Sequence, residues 1–113
     1  SVHEGVAVFV SQELCPGTQD QAAMMWTGAK LAAAKRNRSA ILAAFRRLQD
    51  LNDMRRIGAF LYAGKPLREV RGAPDRCGYW VGWMAVKAWR SKHPKRPLAE
   101  LLTLDPQEAL AAL

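Results

Sequence analysis

The segment from Cys77 to His93 constrains the fold of this 113-residue chain more than any other stretch. It is long enough for about four helical turns. Tyr79, Val86 and Trp89 recur at spacings that place them, with His93, on one helical face. Trp80, Trp83 and Met84 cover much of the remaining surface, so the first half is apolar nearly all round. Such a helix needs neighbours on several sides, and the sequence therefore predicts a central buried helix over about 76–93.

Two glycines lie inside this predicted helix. Gly78 and Gly82 each cost about 1 kcal/mol relative to alanine in a helix interior. We expect the close approach of a neighbouring backbone or a ligand to offset that cost. The apolar part of the segment runs only from Cys77 to Val86, well short of the roughly 20 residues that a membrane span needs. The sequence therefore predicts a buried helix that does not cross a membrane.

The composition is typical of a globular protein. Half of the residues are hydrophobic and 24% are charged, which argues against disorder. The length suits one domain, so we expect residues 1–113 to form a single helical domain. The chain shows no signal-peptide pattern or other targeting segment, and we expect it to be soluble, in a compartment that the sequence leaves open.

Helical patterns also flank the central segment. The apolar spacing of Val2 to Leu14 favours a helix over a strand, and Thr18 with Gln21 matches a capping box that would begin a helix running to about Lys35. A one-sided apolar spacing predicts an amphipathic helix through Ile41, Leu42, Phe45, Leu48 and Leu51.

Further helices are predicted towards the carboxyl end. Asp53 could cap a short helix through Phe60, ended by Gly64 and Pro66. A leucine-rich helix is expected around 98–102, and Asp105-Pro106-Gln107-Glu108 is a strong helix start. The chain is thus predicted to be all-α, a compact bundle of six or seven helices.

Positive charge is concentrated in the middle of the chain. All 17 Lys and Arg residues lie between Lys30 and Arg96, where only Asp50, Asp53, Glu69 and Asp75 oppose them, so this part carries +13. A basic surface can meet nucleic acid, an anionic membrane surface or an acidic protein. It can also be solvated without a partner, or be covered by acidic residues of a further segment. Nucleic acid is disfavoured, because no recognition-helix pattern is present and most tryptophans lie in the buried helix.

The two cysteines, Cys15 and Cys77, are too few for a structural zinc site. Two buried thiols are expected, and a disulfide between them stays open, since a pairing cannot be inferred from a count.

No self-contained catalytic motif is present. His3-Glu4 begins like the zinc motif H-E-x-x-H, but Ala7 stands where the second histidine should be. Glu4 needs an explanation, because it lies near the start of an otherwise apolar segment. An acid in the first turn of a helix is favoured by the helix dipole, which is the structural alternative to a functional role.

Three stretches together resemble a known family. These are Glu4 to Phe9 (E-G-x-A-x-[FY]), Gly78 to Val86 (G-Y-x-x-G-x-x-x-V) and Leu98 to Leu110 (ending in D-P-Q-E-A-L). They are similar to the carboxyl-terminal part of a bacterial predicted zinc-dependent protease family that is gluzincin-like. The resemblance covers both ends of the chain and is thin from Thr18 to Arg71.

The resemblance implies that Glu4 is the third protein ligand of a catalytic zinc ion, whose two histidines lie on a missing amino-terminal segment with H-E-x-x-H. Zinc with an open position would activate water for attack on a peptide or protein substrate. Tyr79 would donate a hydrogen bond to the developing oxyanion, with a core tyrosine as the structural alternative. His93 is interpreted as a helix-end histidine near the last carbonyls.

The hypothesis is therefore the carboxyl-terminal subdomain of a zinc metallopeptidase, part of a longer protein and inactive alone, with zinc bound only in the complete protein. One alternative is a basic helical binding module for nucleic acid or an acidic protein partner. Another is a structural interaction domain that self-associates.

Overall fold

The computed structural model describes residues 1–49, 60–62, 64, 65 and 67–113. Within these ranges every regular element is helical, which confirms the all-α prediction. The elements, in chain order, are α1 (Val2–Leu14), α2 (Asp20–Ala23), α3 (Gly28–Arg36), α4 (Arg38–Gln49), α5 (Cys77–Lys92), a 3-10 helix (Leu98–Thr103) and α6 (Pro106–Ala111).

Helix α5 is the centre of the bundle, with α1 and α6 packed against it. Its tryptophans Trp80, Trp83 and Trp89 are all buried, as the sequence predicted for a helix with neighbours on several sides. Helix α1 supplies Val2, Val6, Val8 and Phe9 to the same core, which follows from its apolar spacing.

The two glycines of α5 lie where other backbone comes close. A Cβ added to Gly82 would overlap the carbonyl oxygen of Ser1 and lie 2.6 Å from its carbonyl carbon. A Cβ on Gly78 would lie 3.0 Å from the carbonyl oxygen of Phe60. The expected close approach is therefore confirmed: the neighbour of Gly82 is the backbone of Ser1 and Val2, and Gly78 meets both backbone and side-chain atoms of Phe60 and Leu61. These contacts explain why α5 retains glycines despite their helix cost.

The helix that was predicted from Thr18 to Lys35 is interrupted. Helix α2 ends after Ala23, and the NH groups of Met25 and Trp26 donate to the carbonyls of Ala22 and Gln21, 2.9 and 2.7 Å away. These are the two hydrogen bonds of a Schellman motif. The left-handed position of that motif is occupied by Met25, with φ of 53°. The sequence prediction failed because a methionine stands where such a helix end normally has glycine.

The predicted capping box at Thr18 is also wrong. The hydroxyl of Thr18 donates to the carbonyl of Cys15 instead, and Gln19 precedes α2. The side chain that caps a helix in this region is Thr27, which accepts a hydrogen bond from the NH of Lys30 at the start of α3.

The helix start at 105–108 is confirmed. The Asp105 carboxylate accepts a hydrogen bond from the NH of Gln107, 2.9 Å away, and Pro106 is the first residue of α6. The leucine-rich helix before it is present as the 3-10 helix. The predicted cap at Asp53 and the continuation of α4 through Leu51 lie outside the described residues.

The Asp75 carboxylate links the loop before α5 to α3 through a bond with Lys30. One carboxylate oxygen lies 2.8 Å from Nζ of Lys30, and the other accepts a hydrogen bond from the NH of Gly64 at 2.6 Å. The backbone carbonyl of Asp75 also accepts from Nε1 of Trp26, at 3.1 Å. Burial raises the pKa of Asp75, but the bonds from Lys30 and Gly64 outweigh it and leave that pKa below its usual value.

Among the helices that the structure describes, none is long and apolar enough to cross a membrane.

Candidate functional site

Glu4 lies in the first turn of α1, where its carboxylate reaches back to the start of the helix. Its Oε2 is 2.8 Å from the nitrogen of Ser1, the residue that precedes the helix. Ser1-Val2-His3-Glu4 matches the capping box, in which a glutamate at the third helical position binds the backbone nitrogen of the capping residue. The hydroxyl of Ser1 makes no reciprocal capping bond. The Glu4 carboxylate therefore pairs with the start of its own helix.

The electrostatics of Glu4 agree with this role. Partial burial raises the pKa of the carboxyl, but hydrogen bonds from the Ser1 nitrogen and from the Glu4 backbone outweigh burial and leave the pKa lowered. The carboxylate is thus held in its charged form by the helix start.

A metal site can be sought only among the described residues, and there no group of three or more His, Cys, Asp or Glu side chains is arranged to hold an ion. His3 is exposed on the same turn as Glu4. The zinc-ligand role of Glu4 stays a prediction, because the two histidines it requires would come from outside this chain.

Tyr79 lies in the first turn of α5 and is half-buried. Its ring faces the guanidinium of Arg76, which lies 4.8 Å from the ring centroid. Arg76 itself has φ of 60°, a left-handed conformation at the residue that precedes the helix. Within the described residues no hydrogen bond joins Tyr79 to Glu4, so the structure gives the two candidates separate partners. The oxyanion role of Tyr79 also stays a prediction.

The indole NH groups of three buried tryptophans have specific acceptors. Trp26 donates to the carbonyl of Asp75. Trp83 donates to Oε1 of Gln12, and Trp89 to Oε1 of Glu108, both at 2.7 Å. Sequence reasoning missed these partners. The available signal was that a buried tryptophan needs an acceptor, but which residue supplies it depends on how the helices pack.

His93 ends α5 beside Trp89. The imidazole stacks on the indole with ring centroids 4.5 Å apart, and Nδ1 lies 2.9 Å from the Trp89 carbonyl. This confirms the interpretation of His93 as a helix-end histidine.

The prediction of two buried thiols is half wrong. Both cysteines are free, but Cys15 is exposed on the turn after α1 while Cys77 is buried in the first turn of α5. The Cys77 thiol lies 3.0 Å from the carbonyl of Pro74, and burial, with a smaller contribution from the Asp75 charge, raises its pKa to about 12. Cys77 is therefore an unreactive core residue.

A groove opens between α4 and α6, with a volume of about 370 Å³. We call it the α4–α6 groove. It is lined by Leu42, Phe45 and Arg46 of α4 and by Gln107, Leu110, Ala111 and Leu113. No local residue pattern predicts this groove, because its two walls are more than 60 residues apart and meet only in the folded chain.

The described features define a small helical bundle whose buried polar groups hold its helices together. The chain belongs to the family described as gliding motility protein GldB, whose model matches residues 1–112. No curated protein and no solved structure matches the chain at a significant level.

The family match overturns the resemblance to zinc-dependent proteases, and with it the metallopeptidase, gluzincin and hydrolase assignments. The structure supplies a physical reason for the error. Glu4 begins a helix, Gly82 admits the backbone of Ser1, and Asp105-Pro106 begins α6. Residues that cap helices or allow close packing recur in unrelated helical proteins. Their presence in this order is therefore weak evidence for one particular family. The match also gives no support to the alternative of a basic binding module for nucleic acid or an acidic protein.

Proposed function

We propose that this chain takes part in gliding motility, the movement of cells along a surface, as a domain that binds and positions rather than one that catalyses. The observation that carries the proposal is the family match, which extends over residues 1–112 and so involves the whole fold instead of one motif.

The placement of the reactive side chains supports a role without catalysis. The Asp75 carboxylate accepts hydrogen bonds from Nζ of Lys30 and from the NH of Gly64. The Glu108 carboxylate accepts one from the indole NH of Trp89. The Glu4 carboxylate pairs with the nitrogen of Ser1 at the start of α1. These carboxylates lie at separate helix junctions, whereas a general acid and base must converge on one substrate. Their arrangement suits a rigid body that presents a surface to a partner.

Deletion of the gene in the source organism tests the proposal. Single cells on glass would be tracked in the parent strain, the deletion strain and the deletion strain carrying the restored gene. We expect gliding to be lost on deletion and recovered on restoration, with growth rate unchanged. Normal gliding in the deletion strain, or a parent strain that does not glide, would contradict the assignment.

Two glycine variants link the phenotype to the fold. Gly82→Leu should fail to restore gliding, because a side chain there meets the backbone of Ser1. Gly28→Ala should restore it, because no atom lies within 4 Å of a Cβ at that position. An immunoblot would report whether each protein accumulates.

The expectations of solubility and self-association stay predictions for this domain. Sedimentation velocity over a wide concentration range would check both, since a self-associating domain sediments faster as its concentration rises.

A further inference from the structure

The α4–α6 groove has the size of a small-molecule site. Its volume of about 370 Å³ lies towards the lower end of the roughly 300–1,000 Å³ typical of such sites. Of its lining residues, Leu42 is 8% exposed, and Phe45, Leu110 and Leu113 are half-buried. An apolar surface of this kind favours a ligand with an alkyl part.

The groove also has two polar side chains with hydrogen-bond donors. Arg46 comes from α4 and Gln107 from α6, and both are exposed, whereas the leucines and Phe45 are buried or half-buried. A guanidinium can bind a carboxylate through two parallel hydrogen bonds, and a side-chain amide can donate to the same group. Charge and donor type therefore favour an anionic group at the mouth of the groove.

We propose that the α4–α6 groove binds a medium-chain fatty acid. Arg46 and Gln107 hold its carboxylate, and the alkyl chain lies against Leu42, Phe45 and Leu110. The lining residues select both parts of the ligand, since a cationic amphiphile would meet Arg46 with like charge and a purely polar anion would leave the apolar wall uncovered. The inference goes beyond the motility assignment and does not depend on it.

Isothermal titration of the protein with decanoate, below the concentration at which it forms micelles, tests the proposal. We expect saturable binding of one decanoate per chain. Arg46→Gln should weaken it by about tenfold or more, because hydrogen bonds to a charged group are lost. Arg47→Gln is the matched control, since Arg47 is the next residue, exposed and of equal charge but not part of the groove. Arg47→Gln should bind like the unsubstituted protein.

One further variant and two further ligands distinguish binding at the proposed site from unspecific association. Arg46→Lys keeps the charge but loses the paired geometry, so its affinity should fall between those of the unsubstituted protein and Arg46→Gln. Decanol and decyltrimethylammonium should each bind more weakly than decanoate. The absence of saturable decanoate binding, equal losses in the Arg46→Gln and Arg47→Gln proteins, or decanol binding as tight as decanoate would overturn the proposal. Circular dichroism of each variant would show that the helical fold is retained.

Discussion

Gly5 of α1 and Gly82 of α5 lie against each other where the two helices cross. A Cβ on Gly5 would be 2.5 Å from the carbonyl oxygen of Gly82, and a Cβ on Gly82 would overlap the backbone of Ser1. Real side chains do not approach backbone this closely, so both positions require the smallest residue. The central helix and the first helix are thus packed through their backbones.

Substitution of either crossing glycine should destabilise the protein strongly. Gly5→Ala and Gly82→Ala must each push α1 away from α5, and overpacking of this kind typically costs about 1–3 kcal/mol or more. Chemical denaturation followed by circular dichroism would measure the loss. Gly28→Ala is the control, because its Cβ meets open space, and it should be neutral or stabilise by up to about 1 kcal/mol. Equal stability of all three variants would contradict the described crossing.

Replacement of the left-handed methionine should stabilise the protein. Met25 is 69% exposed and has φ of 53°, so its side chain contributes little packing while its backbone conformation is strained. Met25→Gly should raise the free energy of unfolding by up to about 1 kcal/mol. Met25→Ala removes the same side chain but keeps the strain, so it should show no such gain. A destabilised Met25→Gly protein would indicate that the methionine side chain packs against a neighbour.

The Asp75 carboxyl should make stability depend on pH in the acidic range. Its pKa is lower in the folded protein than the value of about 3.9 expected when unfolded. The carboxylate therefore contributes stability above that unfolded value, and the contribution is lost as the pH falls through the folded pKa. Asp75→Asn should cost about 2 kcal/mol at neutral pH and should reduce the acid dependence. Lys30→Met should raise the pKa of Asp75, as an NMR titration would show, and an unchanged pKa would exclude the ion pair in solution.

The two thiols should differ in reactivity. Iodoacetamide at neutral pH should label Cys15 in the folded protein and spare Cys77, whose thiol is buried with a pKa of about 12. In denaturant both should react, and mass spectrometry would count the added groups. The Cys15→Ser protein should take up no label while folded, and rapid labelling of that variant would show that the start of α5 opens.

Much of the fold could be predicted from residue patterns. The bounds of α1 and α5 follow from apolar spacing that points to one shared core, and the start of α6 follows from the Asp105-Pro106 cap. Such signals are local, since each depends on residues within one or two helical turns. The break at Met25 could not be predicted, because its left-handed conformation is stabilised by hydrogen bonds and not by the residue type.

The candidate site was less predictable than the fold. The position of Glu4 near the start of an apolar segment marks it as an unusual acid, and Ser1-x-x-Glu4 is the same type of pattern as the one at Thr18, but only the structure shows that Glu4 pairs with Ser1. Asp75 and the α4–α6 groove gave no local signal. Their partners lie tens of residues away, so they exist only once the helices have packed.

The most direct test of the account is the gliding speed of the deletion strain restored with a protein that carries His3→Ala, Glu4→Gln and Tyr79→Phe together. These changes remove the carboxylate and the hydroxyl predicted to bind zinc and the oxyanion, together with the neighbouring imidazole, while the glutamine at position 4 retains an acceptor for the helix start. We expect cells that carry this variant to glide at the speed of the parent strain. Loss of gliding, with the variant protein folded and present at its normal level, would contradict the proposal that this domain binds a partner and does not catalyse.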